Sequence, residues 1–251
     1  MSLFDRLRRR PEHPPASGLD LASLSAEEAE IVERAKPYTL TSVDRLCALI
    51  DAVRYCTDRR LPGAFAECGV WMGGSVLAMI LTLQDLGVDD RPIYLYDTFE
   101  GMTRPTGLDT TRYGGGALQH WDERNQRMNT LFERHIFDPE SFHEQAVRDL
   151  LLETGYPSDL VEFVRGPVEQ TLPELAPDRM ALLRLDTDWY ESTRHELEHL
   201  YPRVCDAGVL IVDDYGHWEG ARRAVDEYFE THGPVPLLNR IDYSGRIAVK
   251  G

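Results

Sequence analysis

Short apolar segments alternate with segments of helical periodicity through most of the chain after Gly63. Five of the apolar segments are four or five residues long and have the composition of buried strands. They are Ala64–Cys68, Ile93–Tyr96, Val161–Val164, Ala181–Leu185 and Val209–Val212. Because a helical pattern follows most of them, the order predicts a parallel sheet with helices on both faces.

The C-terminal part of the chain has a different pattern. Two further strand candidates, Val235–Leu238 and Arg246–Val249, are separated by the short polar stretch Asn239–Gly245. A short connection is typical of an antiparallel hairpin, whereas parallel neighbours need a crossover. The sequence therefore predicts an α/β fold with a mostly parallel, seven-stranded sheet and an antiparallel C-terminal edge.

Two helices are predicted before the sheet begins. Ser25 and Glu28 have the spacing of a capping box, which predicts a helix from there to Ala35. Ser42 is placed to begin a second, amphipathic helix that reaches about Thr57. The residues before Ser25 combine Arg, Pro, Ser and Gly without periodicity, which is typical of a loosely ordered arm.

A long insertion interrupts the α/β pattern after the second predicted strand. It covers about residues 103–145 and contains Gly114–Gly116, several aromatic residues and a charged helical stretch. Connections of this length are usually functional, so we predict a mobile lid over a site, the alternative being a surface excursion that lengthens the crossover. The chain then divides into an N-terminal arm with helices, residues 1–60, and one α/β domain, residues 61–251.

The net charge and the cysteine pattern limit the classes of partner and the cellular compartment that we expect. The formal net charge is −16, and the basic cluster Arg6 with Arg8–Arg10 lies near the N-terminus. Such an acidic surface repels phosphate backbones and anionic lipid, so we expect neither nucleic acid nor a membrane as partner. Without a long apolar segment or a secretion signal, the prediction is a cytoplasmic protein. Four cysteines without zinc-ligand or disulfide spacing are interpreted as core residues: Cys47, Cys56, Cys68 and Cys205.

A glycine-rich turn connects the first predicted strand to an apolar helix. The segment Glu67–Ser75 has glycines at three positions and an acidic residue at its start. Such a turn lets backbone amides approach an anionic group, here the carboxylate of a methionine moiety. The spacing departs from the dinucleotide fingerprint, and Glu67 would repel a pyrophosphate but attract an α-ammonium or sulfonium group. We therefore predict S-adenosylmethionine rather than a nicotinamide, held by Glu67, Gly69, Gly73 and Ser75.

Two later strand ends add residues to this predicted cofactor site. Asp97 ends the second strand, where α/β cofactor sites place a carboxylate against ribose hydroxyls, and Thr98 and Phe99 are placed to flank the adenosine. Val168 and Glu169 follow the third strand and are predicted to meet the adenine. The alternative for Asp97 is a cap of the turn or helix that follows the strand.

Carboxylates are concentrated after the fourth and fifth predicted strands. Asp186 and Asp188 project to the same side if extended, and Asp213 and Asp214 follow the next strand. Crowded carboxylates raise one another's pKa unless a cation neutralises them, so we predict a metal site of Asp186, Asp213 and Asp214, with Asp186 also contacting the cofactor. An all-oxygen ligand set favours Mg²⁺, or alternatively Mn²⁺, over zinc. Solvated loop acids and helix caps are the alternative.

A metal bound by these aspartates would help to activate an acceptor hydroxyl. An alcohol that resembles water has a pKa of ~15.7 and a free aspartate one of ~3.9, a gap of roughly 16 kcal/mol that aspartate alone cannot bridge. A divalent ion makes the hydroxyl more acidic, after which a positioned carboxylate can take its proton while the oxygen attacks the sulfonium methyl. We assign Asp188 as this base, with His217 as the alternative.

These segments resemble the macrocin O-methyltransferase (TylF-like) family, which methylates deoxysugar hydroxyls on natural products. The resemblance extends from about Tyr38 to the C-terminus, and no motif residue is missing. The matching motifs are Ala66–Trp71 with Gly73–Ser75, Tyr96–Met102, Leu183–Thr193, Ile211–Trp218 and Gly220–Phe229.

The resemblance implies a fold, a reaction and several residue roles. It implies a Rossmann-like class I methyltransferase domain over residues 61–251, Mg²⁺ held by the matching carboxylates, and a general base in the Asp186–Asp188 motif. It also implies that vicinal hydroxyls of a glycosyl group, as in antibiotic biosynthesis, are the acceptor. Tyr38 and Thr39 are implied to enclose the cofactor.

Other functions stay open on the sequence alone. A catechol or phenol O-methyltransferase would use similar residues, because a phenol with a pKa of ~10 is easier to ionise. A non-catalytic S-adenosylmethionine-binding protein and a nicotinamide oxidoreductase are the alternatives from other classes. Residues Gly107–Phe142 give no guidance on the acceptor, and a homo-oligomer in which the N-terminal helices dock on a second subunit is compatible with the sequence.

Overall fold

The computed structural model describes residues 21–119, 121 and 143–251. The strands are β1 Ala64–Cys68, β2 Ile93–Asp97, β3 Val161–Arg165, β4 Met180–Leu185, β5 Val204–Val212, β6 Asn239–Arg240 and β7 Arg246–Val249. The helices are α1 Ala26–Ala35, α2 Val43–Asp58, α3 Gly74–Asp85, α4 Glu144–Leu152, α5 Val168–Thr171, α6 Tyr190–His199 and α7 Glu219–His232. Single 3₁₀ turns cover Leu21–Ser23, Lys36–Tyr38, Ser158–Leu160 and Tyr201–Arg203. The predicted arm before residue 21, with its arginine cluster, lies outside the described residues.

One seven-stranded sheet has the order β3-β2-β1-β4-β5-β7-β6. The first five strands in this order are parallel, while β7 pairs with both β5 and β6 in the antiparallel sense. The strand order reverses between β1 and β4, and at such a point the loops after the two strands diverge and leave a crevice. The predicted mostly parallel sheet with an antiparallel C-terminal edge is therefore confirmed.

The prediction of a strand at Val235–Leu238 is wrong. The hairpin partner of β7 is the two-residue strand Asn239–Arg240, which begins just after the predicted segment. Pro234 and Pro236 lack the N–H group that a ladder hydrogen bond requires, so this apolar segment cannot pair along its length. Val235 and Leu237 are instead 64% and 78% exposed, while Leu238 packs against the core.

Both predicted N-terminal helices are confirmed, and their caps explain where they begin. Ser25 and Glu28 form the reciprocal capping box at the start of α1. The Ser42 hydroxyl accepts a hydrogen bond from the Arg45 amide and caps α2, which ends at Asp58, one residue beyond the prediction. The division of the chain at residue 60 stays a prediction, although α1 and α2 pack into the same hydrophobic cluster as β1 and α3.

Apolar side chains fill both faces of the sheet. Alternation along the strands sends Phe65 and Leu182 into the cluster with α1, α2 and α3, and sends Ala66 and Leu183 into the cluster with α6 and α7. The four cysteines are buried and unbridged, as predicted. Within the described residues no helix combines the length and apolar character needed to span a membrane.

Candidate active site

A cavity of about 400 Å³ opens at the carboxyl ends of the parallel strands. The segments that follow β1, β2, β3, β4 and β5 all contribute to its wall, together with the segment after the Lys36–Tyr38 turn. Its volume lies in the range of small-molecule sites, which favour this edge of open α/β sheets. Residues predicted to bind cofactor and residues predicted to bind metal therefore share one crevice.

Glycine is required at two points of the turn after β1. Gly69 has φ +83°, and a Cβ atom there would lie 2.0 Å from the Asp186 carbonyl oxygen. A Cβ atom on Gly74 would lie 2.6 Å from the Tyr38 carbonyl group. Both distances are far below van der Waals contact, so the turn can close against the end of β4 and against Tyr38 only without side chains. This packing brings the cofactor turn directly beside the acidic strand end.

Asp97 organises the same turn through its carboxylate. Oδ2 accepts hydrogen bonds from the amides of Val70 (2.7 Å) and Trp71 (3.0 Å), and Oδ1 accepts one from the Phe99 amide (2.7 Å). Two backbone amides of the glycine-rich turn thus bind a side chain of the protein rather than a ligand. Trp71 and Phe99 both have positive φ, at 50° and 52°, which these hydrogen bonds help to hold.

Glu67 is buried at the base of the cavity. Its Oε1 atom accepts a hydrogen bond from Arg184 Nη1, and the side chain is 1% exposed. Oε2 has no hydrogen-bond partner among the described residues. Burial raises the pKa of Glu67 to about 8, against the lowering effect of Arg184. A buried acceptor that lines the cavity without a partner is suited to bind a cationic group of a ligand.

Most residues predicted to contact the cofactor line this cavity. The lining includes Thr39, Glu67, Gly69, Ser75, Asp97, Thr98, Val168, Glu169 and Asp186. Gly73 is not part of the lining; it is the N-cap residue that precedes α3, in a left-handed conformation. Tyr38 contributes the carbonyl group that packs on Gly74. Phe99 is not brought to the cavity: it is 3% exposed and packs in the core against Phe163, with the ring centres 6.0 Å apart.

Three carboxylates meet at the other end of the cavity. One oxygen each of Asp186, Asp188 and Asp214 lies within 4.8 Å of the other two. Asp214 Oδ2 is buried and has no hydrogen-bond partner among the described residues. Burial raises the pKa of both Asp186 and Asp214 well above the usual carboxyl value, and the neighbouring carboxylates raise it further. Such a group of oxygens is unfavourable when charged unless a cation binds to it.

Asp188 is held in an uncommon backbone conformation. Its φ of +67° places it in the left-handed region, which aspartate tolerates better than most residues. Burial raises the pKa of Asp188 to about 7, and a hydrogen bond with Asp214 opposes that rise. A carboxylate with a pKa near neutrality is matched to proton transfer at physiological pH.

Asp213 differs from the other three aspartates because arginines occupy both of its oxygens. Oδ1 accepts a hydrogen bond from Arg184 Nη2 (2.6 Å), and Oδ2 accepts one from Arg45 Nη1. The structure therefore does not bring Asp213 into the group of Asp186, Asp188 and Asp214. Its predicted role as a metal ligand stays a prediction, with the added fact that two guanidinium groups share its lone pairs.

The two arginines are the main feature that sequence reasoning missed. Arg184 is 1% exposed and contacts Glu67, Asp186 and Asp213, so it joins the cofactor end of the cavity to the acidic end. Its signal in the sequence is a charged residue inside an apolar strand. Arg45 comes from α2 and also pairs with Asp242 (3.0 Å), which lies in the C-terminal hairpin, a combination with no local signal.

A hydrogen bond to a buried glutamate fixes the turn between the first two aspartates. Thr187 Oγ1 donates a hydrogen bond to Glu196 Oε1 (2.9 Å), and Glu196 is fully buried in α6. Burial raises the pKa of Glu196 to about 8, while the hydrogen bond from Thr187 lowers it. The pair thus ties the backbone that carries Asp186 and Asp188 to the following helix.

The first part of the predicted lid packs over the acidic end. Asp109 is fully buried, and its carboxylate accepts hydrogen bonds from the amides of Thr106 (2.7 Å) and Tyr190 (2.8 Å). The Trp189 indole donates to the Thr103 carbonyl (2.9 Å). Residues 120 and 122–142 of the insertion lie outside the described residues, and the mobility of the lid stays a prediction.

His217, the alternative base, packs beside this end of the site. Its ring lies edge to face with Trp218, and its Nδ1 atom is 3.3 Å from the Tyr243 hydroxyl. Burial, with the charges of Arg45 and Arg112, lowers the pKa of His217. Asp188 lines the cavity, whereas the hydrogen bond of His217 to Tyr243 places it in the surrounding wall.

Comparison with known protein families identifies the family to which this chain belongs. A family model described as Macrocin-O-methyltransferase (TylF) matches residues 32–248, nearly the whole chain. The chain belongs to this family. It is therefore an S-adenosylmethionine-dependent methyltransferase, and the family prediction made from the motifs is confirmed.

Relatives of this methyltransferase act on glycosylated natural products. It is 32% identical over 212 residues to the 8-demethyl-8-(2,3-dimethoxy-alpha-L-rhamnosyl)-tetracenomycin-C 4'-O-methyltransferase of Streptomyces olivaceus, which covers 83% of this chain and 74% of the relative. It is 32% identical over 211 residues to the demethyldecarbamoylnovobiocin O-methyltransferase of Streptomyces niveus, and the alignment covers 84% of this chain and 75% of that relative. The mycinamicin III 3''-O-methyltransferase of Micromonospora griseorubida is 29% identical over 227 residues, and the alignment covers 87% of this chain and 84% of that relative.

Solved structures confirm the fold of the methyltransferase. The O-methyltransferase NovP superposes with a TM-score of 0.69 at 29% identity, covering 85% of this chain and 82% of NovP. The calicheamicin methyltransferase CalS11 superposes with a TM-score of 0.61 at 18% identity, which supports the fold alone. The predicted Rossmann-like methyltransferase fold is thus confirmed.

Proposed function

We propose that this methyltransferase transfers a methyl group to a sugar hydroxyl of a small glycosylated natural product, with the help of a bound divalent cation. The observation that carries the proposal is the group of Asp186, Asp188 and Asp214 in the same cavity as the glycine turn. The named relatives, which methylate a rhamnosyl tetracenomycin, a novobiocin precursor and mycinamicin III, support an acceptor of this class.

The described residues fit the cofactor. S-adenosylmethionine, when bound, supplies an activated methyl group on its sulfonium. The unpartnered Oε2 atom of Glu67 is suited to accept a hydrogen bond from the α-ammonium group, because a buried acceptor gains most from a charged donor. Asp97 is fixed by the amides of Val70 and Trp71, so its carboxylate is already oriented where ribose hydroxyls are expected. Val168 and Glu169 line the end of the cavity assigned to the adenine.

The acidic end fits a hard divalent cation, for which we propose Mg²⁺, with Mn²⁺ as the alternative. A bound dication lowers the pKa of a hydroxyl group that it contacts. Asp186 and Asp214 offer oxygens within 4.8 Å of each other, and one oxygen of Asp214 is buried without a hydrogen-bond partner among the described residues. Asp213 completes the predicted ligand set, while Arg184 and Arg45 compensate the remaining negative charge.

Asp188 is the general base in this proposal. Asp188 lies in the turn after β4, where its backbone is in the left-handed conformation. Its pKa of about 7 lets it accept a proton from the acceptor hydroxyl. An oxygen of Asp188 would take the hydroxyl proton while the new O–CH3 bond forms and the CH3–S bond breaks, which leaves the cofactor as a neutral thioether. The Trp189 indole donates a hydrogen bond to the Thr103 carbonyl in the first part of the insertion. This contact covers the acidic end, and the exclusion of water strengthens the electrostatic interactions there.

Methyl transfer to a panel of acceptors tests the proposal. Full-length protein is incubated with labelled S-adenosylmethionine and Mg²⁺, and with glycosylated antibiotic precursors, their aglycones and simple catechols. We expect label on the glycosylated compounds only, and loss of transfer after chelation that Mg²⁺ restores. Transfer to catechols but not to glycosides would contradict the acceptor class, and an unchanged rate after exhaustive chelation would contradict the cation.

A further inference from the structure

The helix that follows the acidic turn carries a second group of metal-ligating side chains. His195 and His199 lie one turn apart on α6, and their rings are in edge-to-face contact with centres 4.3 Å apart. One ligand atom each from His195, Glu198 and His199 lies within 4.8 Å of the other two. The two histidines lie roughly 8 to 14 Å along the helix from its first residue, away from the proposed Mg²⁺ site.

Paired histidines four positions apart are a known way for a helix to bind a transition metal, because both rings project from one face. The segment His195–His199 reads H-E-L-E-H and so matches that spacing. The pair lies on a helix, away from both the cysteines and the strand-end aspartates.

A backbone carbonyl lies beside one ring nitrogen of His195. Its Nε2 atom lies 3.4 Å from the Leu172 carbonyl oxygen, which can only accept a hydrogen bond. A neutral ring that donates from Nε2 to this carbonyl keeps a lone pair on Nδ1, which can bind a metal. A backbone carbonyl that accepts from the second ring nitrogen is the usual partner of a metal-binding histidine, since it orients the ring and increases its basicity.

The other two side chains complete a mixed nitrogen and oxygen ligand set. His199 supplies a second imidazole one helical turn from His195, on the same face of α6. Oε1 of Glu198 accepts a hydrogen bond from Arg194 (2.9 Å), which orients the carboxylate and leaves it a second oxygen. Two imidazoles with one carboxylate are ligands that suit Zn²⁺, whereas Mg²⁺ prefers oxygen throughout.

We propose that His195, Glu198 and His199 bind one Zn²⁺ ion, with water in the fourth position, at a site separate from the methyl-transfer cavity. The ion would join α6 to the Leu172 segment through the His195 hydrogen bond and so stabilise the fold. Hydrolytic chemistry is not part of the proposal. Glu196, which occupies the position of the base in H-E-x-x-H hydrolases, is fully buried and accepts its hydrogen bond from Thr187 instead.

Zinc titration of the full-length protein tests the site. The protein is first freed of metal, then titrated with Zn²⁺ by calorimetry in excess Mg²⁺, which keeps the oxygen ligands of the cavity occupied. We expect one Zn²⁺ per chain and a higher melting temperature with Zn²⁺. His195→Gln and His199→Gln should each weaken Zn²⁺ binding by at least about tenfold. Cobalt added in place of zinc should give the visible absorption of a four-coordinate ion.

The controls separate this site from other histidines and from misfolding. His232→Gln, an exposed position on α7, should bind Zn²⁺ as the unaltered protein does. Circular dichroism checks that each variant is folded, and Glu198→Gln supplies an independent test if His199→Gln is not. Equal Zn²⁺ affinity in the unaltered protein and in His195→Gln, or the absence of stoichiometric binding in the unaltered protein, would overturn the proposal. Neither result bears on methyl transfer, which does not use these residues.

Discussion

The two ends of the active-site cavity are built by different means. At the cofactor end, backbone geometry dominates: glycines allow close approach, and Asp97 accepts hydrogen bonds from three amides. At the acidic end, charge dominates: three carboxylates lie within 4.8 Å of one another, and burial raises the pKa of each. The cofactor end is therefore nearly satisfied before a ligand binds, whereas the acidic end retains unfavourable electrostatics that a cation relieves.

Arg184 is the link between the two ends, and it makes the comparison testable. It contacts Glu67 at one end and Asp186 and Asp213 at the other. A fully buried guanidinium with three carboxylate partners restricts all of them to one geometry. If the two ends have separate functions, substitutions at one end should alter cofactor affinity and substitutions at the other should alter cation affinity or proton transfer.

The largest effect is expected from Asp188→Asn. Asparagine tolerates the left-handed conformation at this position but cannot accept the proton, so kcat should fall about 10²- to 10⁴-fold while cofactor affinity is unchanged. Single-turnover transfer from labelled S-adenosylmethionine and calorimetry measure the two quantities. Asp89→Asn, at an exposed position, is the matched control. A kcat within a few fold of the unaltered enzyme would remove Asp188 from the mechanism.

Asp213 and Asp214 should respond differently to the same substitution. Asp213→Asn removes the carboxylate shared by Arg45 and Arg184, which keep their other carboxylate partners, so the free energy of unfolding should fall by about 1 to 3 kcal/mol. Asp214→Asn removes an oxygen without a hydrogen-bond partner among the described residues, so stability should be kept while Mg²⁺ affinity falls about 10- to 100-fold.

Urea unfolding and the Mg²⁺ dependence of transfer distinguish the two residues. If Asp213→Asn weakens Mg²⁺ binding as much as Asp214→Asn does and leaves stability unchanged, Asp213 is a ligand first and a counterion second. In that case Asp213 would belong to the acidic end of the cavity, together with Asp186, Asp188 and Asp214.

Glu67→Gln should affect the cofactor end more than the acidic end, because Arg184 keeps its contacts with Asp186 and Asp213. The amide is a weaker acceptor than the carboxylate for a cationic donor, so affinity for S-adenosylmethionine should fall about tenfold. Calorimetry measures this loss, and Mg²⁺ affinity is measured on the same sample. Glu100→Gln, at an exposed ion pair with Arg165, is the control. Unchanged cofactor affinity would show that Oε2 does not meet the ammonium group.

The smallest effect concerns Glu196 and the pH dependence of stability. Burial raises the pKa of Glu196 from 4.5 to about 8, so the folded state holds a proton that the unfolded state releases above pH 4.5. Stability that depends on this proton is lost as the pH rises towards 8, by about 2 kcal/mol between pH 6.5 and 8. Glu196→Gln should remove this loss, as urea unfolding at several pH values measures. If Glu196→Gln and the exposed control Glu191→Gln have the same pH dependence, the buried carboxyl is ionised throughout.

The elements of the sheet follow closely from the sequence because their signal is local. Buried parallel strands need continuous apolar residues, and a sequence shows these directly. The prediction was wrong at Val235–Leu238, where an apolar composition was outweighed by two prolines that cannot donate ladder hydrogen bonds. The start of β5 at Val204 was also missed, because Asp206 and Gly208 interrupt the apolar run.

The active site was predictable to the extent that its residues stand at strand ends. Chain order places the carboxyl ends of parallel strands at one edge, so Glu67, Asp97 and Asp186 could be expected to meet. Phe99 shows the limit of this reasoning. It adjoins Asp97, yet its positive φ turns the ring into the core against Phe163 rather than towards the cavity.

The sequence alone determined the α/β alternation, the glycines that permit a close turn, and the supply of aspartates at neighbouring strand ends. It could not determine which aspartates keep free oxygens, since Arg45 comes from α2 and Asp242 from the C-terminal hairpin, far from Asp213 along the chain. Ion pairing depends on distance in space, and the surrounding dielectric depends on burial. Only the packing of the whole chain could therefore pair Asp213 with both arginines and bring Asp186, Asp188 and Asp214 together.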